Sequence, residues 1–294
     1  MLISLSNTYL DGQKDMRKNA LVICCVTCVF GAFGAFFRWL MGLTGFEAGT
    51  GLYIPGNVWS RVLVLACLCC AVVLLAMVLN LRRTGETLPG DCARALGGST
   101  VLYRPGSLII ALLMVVGAVL TLLGMRAGAY PVFQLILGVM AILAAVGFAL
   151  LTASTIRRRD PPLNCFGVTL IIVMLCFWLI VSYRENANSP VVWGYAFEVL
   201  AIAASLVAFY YVAGIPFERA QPFKTIFFCH LAAFLCIVTL PDDRPLGAQF
   251  MLIATTGMLL FLGWAAVSNL RVPEEAVPAE KSAAPSPDEE NIEE

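Results

Sequence analysis

Eight stretches of about twenty mostly apolar residues recur along this chain and constrain its fold more than any other feature. A helix rises about 1.5 Å per residue, so about twenty residues cross a hydrocarbon core roughly 30 Å thick. The chain has 294 residues, of which 60% are hydrophobic and only 13% are charged. The pattern predicts an all-α polytopic transmembrane helix bundle with about eight spans, at 20–45, 58–80, 107–125, 130–153, 165–183, 190–213, 222–240 and 246–268.

Three segments follow from this pattern. We expect a cytoplasmic amino-terminal segment at 1–19, a transmembrane helical domain at 20–270 and an acidic cytoplasmic tail at 271–294. From Val272 onward, the acidic residues Glu274, Glu275, Glu280, Asp288, Glu289, Glu290, Glu293 and Glu294 accompany a single lysine, Lys281. Such a tail cannot bury enough apolar surface to fold, so we predict that it is disordered.

The basic residues predict the orientation. Lys and Arg that flank spans are retained on the cytoplasmic side of a membrane. With both termini inside, fourteen of the 19 basic residues lie on that side: Lys14, Arg17, Lys18, Arg82, Arg83, Arg94, Arg104, Arg157, Arg158, Arg159, Arg219, Lys224, Arg271 and Lys281. We therefore predict a multi-pass protein of the cell membrane, with both termini cytoplasmic. The zero formal net charge gives no electrostatic reason to expect nucleic acid as a partner, so the expected partner is the lipid bilayer.

Arg38 and Glu198 lie inside spans and carry the sharpest hypothesis. Arg38 shares one helix face with small residues that let helices approach, namely Gly31, Gly34, Ala35, Gly42 and Gly45. Glu198 lies in the sixth span at a comparable predicted depth. An isolated charge inside a membrane is costly, so we expect Arg38 and Glu198 to form a buried ion pair, either structural or with a role in binding or ion passage.

Arg61 and His230 are two further candidates. Arg61 is a rival partner for Glu198, although an arginine at the end of a span can instead extend to the lipid headgroups. His230 is the only histidine, so it cannot supply two axial haem ligands or a site of several histidines. We interpret it as a neutral core histidine, with a proton relay to Glu198 as the alternative.

Enzyme chemistry and cofactors are not predicted. The 11 cysteines lie mostly inside apolar stretches, where they behave as small hydrophobic residues, although Cys28 and Cys70 are predicted at similar depth. The chain has no phosphate-binding loop ending in Lys-Ser or Lys-Thr, no His-Glu-x-x-His helix and no Gly-x-Ser-x-Gly turn. We expect a protein without enzymatic activity, resident metal or cofactor.

Two functions fit these predictions. In the first, the chain is a small-solute or ion permease with a polar path between helices, lined by Arg38, Glu198, Arg61 and His230. In the second, it is a non-catalytic subunit or scaffold that holds other membrane proteins. The polar residues inside the spans favour the permease only slightly, because they are few.

Overall fold

The computed structural model describes residues 2–47, 49–83, 88, 92–97, 103–124, 131–157, 161–187, 189 and 191–270. The predicted acidic tail at 271–294 lies outside these residues. Within the described ranges the backbone is helical apart from turns, short connections and one isolated pairing of Phe46 with Tyr53. The helices are α1 (Leu2–Thr44), α2 (Val58–Arg83), α3 (Cys92–Ala95), α4 (Tyr103–Gly124), α5 (Pro131–Arg157), α6 (Pro161–Asn186), α7 (Val192–Ala213), α8 (Pro222–Val238) and α9 (Leu246–Ser268).

Seven of the described helices contain segments long and apolar enough to cross a membrane. They are α1 from Met16 onward, α2, α4, α5, α6, α7 and α9. The predicted all-α membrane bundle is therefore confirmed. α8 is also apolar but has only 17 residues, which give about 25 Å of helix, at the short limit for a span. An eighth crossing and the cytoplasmic side of the two termini stay predictions.

Six helices pack as a closed ring. α4 contacts α5, the contacts continue in chain order to α9, and α9 returns to pack on α4. α1 packs outside this ring on α8 and α9, and α2 packs on α1 and α8. At one end of the bundle, the last turns of α1 meet the first turn of α7 and the connection between α8 and α9, residues 239–245. We call this the Arg38 end, and we call the opposite end, where α3 meets the end of α9, the α3 end.

Glycine allows close helix contacts in the ring. A Cβ built on Gly147 of α5 would lie 2.5 Å from the carbonyl oxygen of Gly167 of α6, and the reciprocal distance is also 2.5 Å. Two backbones at this separation leave no space for side chains. Such contacts are expected in lipid, where small residues rather than a hydrophobic driving force bring helices together.

The small-residue stripe predicted on α1 packs on α8 over part of its length. Gly31 and Gly34 face α8 side chains, with Val238 beside Gly34. Arg38 continues this face and is 5% exposed. Gly42 has no neighbouring atom within 4 Å of its Cβ position, because α8 has already ended at Val238.

Several helices begin earlier than the sequence predicts. α1 begins at Leu2, so the polar amino-terminal segment is already helical. α4 begins at Tyr103 and takes Pro105 into its first turn, and α6 begins at Pro161. Proline is tolerated in a first turn because its missing N–H would have no partner within the helix. These prolines therefore lie in the first turns of helices, ahead of the predicted spans at 107–125 and 165–183.

Candidate binding site at the Arg38 end

Arg38 is held by four hydrogen bonds to oxygen. Its Nε donates to Asp242 Oδ1 at 2.7 Å and its Nη2 to Asp242 Oδ2 at 3.2 Å, which makes the contact bidentate. Nη1 donates to the Trp193 carbonyl at 2.9 Å, and Nη2 donates to the Gly194 carbonyl at 2.8 Å. The guanidinium also lies 5.2 Å from the centre of the Phe197 ring. Arg38 therefore connects α1 to the start of α7 and to the α8–α9 connection.

Glu198 belongs to the same group of charges but has a different partner. Its Oε2 lies 3.6 Å from Arg244 Nη2, and its Oε1 accepts a hydrogen bond from Ser182 Oγ at 3.0 Å. Arg244 Nη2 also donates to Asp242 Oδ2 at 3.4 Å. Arg38, Asp242, Arg244 and Glu198 thus form one continuous chain of alternating charge, which we call the charge cluster. With all four groups ionised, its net charge is zero.

The predicted direct pair of Arg38 and Glu198 is not the arrangement found. Arg38 pairs with Asp242 and Glu198 pairs with Arg244, so the two residues share a cluster without sharing an ion pair. The reason lies in the α8–α9 connection, which brings Asp242 and Arg244 against α1 and α7. Both residues lie between the predicted spans 222–240 and 246–268, so the sequence analysis did not include them among the site residues.

The side chain of Arg244 is buried but incompletely bonded. Its side chain is 4% exposed, yet its Nε and Nη1 have no hydrogen-bond partner among the described residues. Gln249, in the first turn of α9, donates from Nε2 to the Leu240 carbonyl at 2.6 Å, while its Oε1 is buried without a described partner. Buried polar groups in proteins are nearly always bonded, so each exception calls for an explanation. The Arg244 donors have the chemistry to bind an oxygen-rich anionic group.

His230 lies apart from the charge cluster. Its ring is fully buried, with Nδ1 2.8 Å from the Ile226 carbonyl and Nε2 3.5 Å from Cys24 Sγ. Gly263 of α9 lies against the ring, because a Cβ there would be 2.7 Å from His230 Cε1. His230 precedes the end of α8 by eight residues, or about 12 Å of helix. No hydrogen bond connects it with Glu198 in the described part of the chain, and a proton relay stays a prediction.

Arg61 also lies apart from the cluster, at the rim of a groove of about 560 Å³. The groove runs between the loop that precedes α2 and the first three turns of α2, and Trp193 closes it on one side. Tyr53 stacks on Trp193 with ring centres 5.5 Å apart. The lining residues are Tyr53, Pro55, Gly56, Ser60, Arg61, Val64, Leu65, Leu68 and Trp193. Trp193 therefore belongs to both sites, because its side chain lines the groove and its carbonyl accepts a hydrogen bond from Arg38.

The two cysteines predicted at similar depth differ in exposure. Cys70 is buried and Cys28 is exposed, and both are free thiols. Cys236 Sγ lies 3.4 Å from Ser205 Oγ between α8 and α7. Among the described residues, no three His, Cys, Asp or Glu side chains are grouped closely enough to hold a metal ion.

Comparisons with known proteins assign no family. No protein-family model, curated protein or solved structure matches this chain. The geometry of the charge cluster and the groove therefore carries the functional argument.

Sequence reasoning missed Asp242 and Arg244, although one signal pointed to them. Three consecutive charged residues lie between two apolar stretches, namely Asp242, Asp243 and Arg244. In an alternating bundle, the end of α8 lies beside the end of α1 and the start of α7, which carry Arg38 and Glu198. Opposite charges that meet at one end of a bundle are expected to pair.

Proposed function

We propose that this multi-pass protein is a permease for a small solute that carries a carboxylate, and that Arg244 binds this carboxylate. The observation that carries the proposal is the pair of buried, unused N–H donors on Arg244. The side chain of Arg38 is similarly buried, but each of its three guanidinium nitrogens donates a hydrogen bond within the protein. A purely structural role would be expected to satisfy both arginines, because an unmade buried hydrogen bond is costly.

The neighbouring carboxylates narrow the class of solute. Asp242 and Glu198 remain 16% and 20% exposed beside the nearly buried Arg244. They would repel a simple anion but would attract an ammonium group. A zwitterion such as an α-amino acid therefore matches the site better, with its carboxylate on Arg244 and its ammonium towards Asp242 or Glu198.

In this proposal the solute path runs through the helix ring, and aromatic side chains close it at the α3 end. At the α3 end, side chains from three ring helices meet: the rings of Tyr103 and Phe261 lie 4.6 Å apart, and those of Phe148 and Phe261 lie 6.0 Å apart. Tyr103 Oη also donates to the Leu96 carbonyl at 2.5 Å. A binding site at one end and aromatic closure at the other suit an alternating-access mechanism.

Uptake by liposomes that contain only this chain tests the proposal. We expect counterflow of labelled α-amino acids, and weaker counterflow of plain monocarboxylates. Arg244→Gln removes a charged hydrogen-bond donor and should lower uptake about 10- to 100-fold. Arg184→Gln is the matched control, since Arg184 is an exposed arginine near the end of α6. No flux above empty liposomes, or equal flux with Arg244→Gln, would reject the permease.

A second candidate function, a membrane subunit or scaffold, is favoured by the exposure of α2. This helix packs on α1 and α8 and leaves Leu65, Leu68 and Val72 at least 60% exposed. A partner helix could cover that face as well as lipid does. Purification in mild detergent should then retain a companion protein in fixed ratio, and Val72→Trp should release it.

A further inference from the structure

The groove beside Arg61 is built by a rigid loop. Asn57 Oδ1 accepts a hydrogen bond from the Trp59 N–H at 2.9 Å and so caps α2. Tyr53 Oη donates to Ser60 Oγ at 2.8 Å, which fixes the loop to the first turn of α2. Gly56 has a positive φ of 85°, which favours glycine, and its Cβ position lies 3.6 Å from Arg61 Nη2. The loop therefore holds a preformed groove with Arg61 at its rim.

The lining of the groove changes from charged to apolar along α2. Arg61 lies in the first turn of an apolar helix that begins at Val58, which is the depth of lipid headgroups if α2 spans a bilayer. Leu65 and Leu68 follow on the same face, about 6 and 10 Å further along the axis. Both are at least 60% exposed, so they present an apolar wall at the depth of acyl chains.

The charge of Arg61 identifies the occupant. No ion pair or hydrogen bond of Arg61 is found within the described residues, whereas both arginines of the charge cluster contact carboxylates. We propose that the groove binds one anionic phospholipid, with its phosphate on Arg61 and an acyl chain along Leu65 and Leu68. Trp193 and Tyr53 close the headgroup side of this site, as aromatic residues commonly do at the membrane interface.

Lipid retention by the purified full-length chain tests this site. The protein is incubated in micelles that contain phosphatidylglycerol and phosphatidylcholine with identical acyl chains, and bound lipid is counted by native mass spectrometry. We expect the wild type to retain one phosphatidylglycerol in preference. Arg61→Gln should lower that occupancy about fivefold, because one basic residue near the surface contributes roughly that much to anionic lipid binding. Arg61→Lys should keep most of it.

Two matched variants make the result specific. Arg184→Gln removes an exposed arginine from the same end of the bundle and should leave the occupancy unchanged. Leu65→Trp fills the apolar wall and should release the lipid although Arg61 is intact. The proposal is wrong if the wild type retains both lipids equally, if Arg61→Gln matches the wild type, if Arg184→Gln loses as much lipid as Arg61→Gln, or if Leu65→Trp loses none. Solute uptake does not enter this readout, so the lipid site and the permease can fail separately.

Discussion

At the level of single residues, two arginines of similar burial have different environments. The side chains of Arg38 and Arg244 are 5% and 4% exposed. Arg38 makes four hydrogen bonds to oxygen, whereas Arg244 makes one, at 3.4 Å, beside an ionic contact of 3.6 Å with Glu198. Both lose their hydration shells, but only Arg38 recovers full bonding inside the protein. Under the proposed function, we therefore assign Arg38 to stability and Arg244 to solute binding.

This assignment predicts different costs for the same substitution. Arg38→Met should lower the free energy of unfolding by about 3–5 kcal/mol, because it leaves Asp242 without its bidentate partner. Arg244→Met should cost much less, about 1 kcal/mol, because it also removes two unbonded buried donors. Thermal unfolding of the purified variants measures both losses of stability, and Arg184→Met is the control at an exposed arginine. Equal losses for Arg38→Met and Arg244→Met would contradict the assignment.

A double-mutant cycle tests which carboxylate is the partner of Arg38. Arg38→Gln and Asp242→Asn should show a coupling energy of about 1–3 kcal/mol, since the two groups are in direct bidentate contact. Arg38→Gln and Glu198→Gln should show a smaller coupling, because their charges interact only through Asp242 and Arg244. Chemical unfolding of the wild type, the three single variants and the two double variants provides the measurement. A larger coupling with Glu198 would restore the direct pair that the sequence suggested.

At the level of helices, glycine contacts fix the separation of neighbours. Gly147→Ala should destabilise the protein by about 1–3 kcal/mol, because its Cβ would meet the Gly167 carbonyl of a backbone that cannot yield locally. Gly42→Ala is the control: this exposed position in α1 has no atom within 4 Å of its Cβ position. It should be neutral or slightly stabilising, by up to about 1 kcal/mol, because alanine favours the helix. The unfolding temperatures of both variants test this prediction. Equal shifts in unfolding temperature would argue against a close α5–α6 contact.

The helices were predictable from the sequence, but the contacts between their ends were not. Lipid cannot form hydrogen bonds with backbone N–H and C=O groups, so each long apolar stretch must form these bonds within a helix. Hydropathy therefore locates the helices. Helical spacing also placed Gly31, Gly34 and Arg38 on one packed face of α1. The position of Asp242 depends on how the irregular backbone after α8 folds, and periodicity carries no information there. For this reason Arg38 and Glu198 were expected at one end of the bundle, while the pairing of Arg38 with Asp242 was missed.

At the level of the whole molecule, the shortest apolar helix lies at the junction between the ring and the outer pair. α8 packs on α7 and α9 within the ring and on α1 and α2 outside it. It ends at Val238, just before the connection that carries Asp242 and Arg244. If α8 crosses the membrane, this connection and the one between α7 and α8 lie on opposite sides. The number of crossings, the side of each terminus and the accessibility of the charge cluster therefore depend on this one helix.

Labelling from each side of the membrane tests the crossing of α8. In a variant without native cysteines, Ala220→Cys before α8 and Asp243→Cys after it both introduce exposed thiols. An impermeant maleimide should label Asp243→Cys in right-side-out vesicles and Ala220→Cys in inverted ones, because an apolar helix of 17 residues is just long enough to span a hydrocarbon core. A permeant maleimide that labels both variants in both preparations shows that each thiol is reactive. If both sites react from one side only, α8 is a buried helix that does not cross. The bundle would then have seven spans with its termini on opposite sides, and the placement of Arg244 beside the start of α7, at the opposite end of the bundle from the α7–α8 connection, would be wrong.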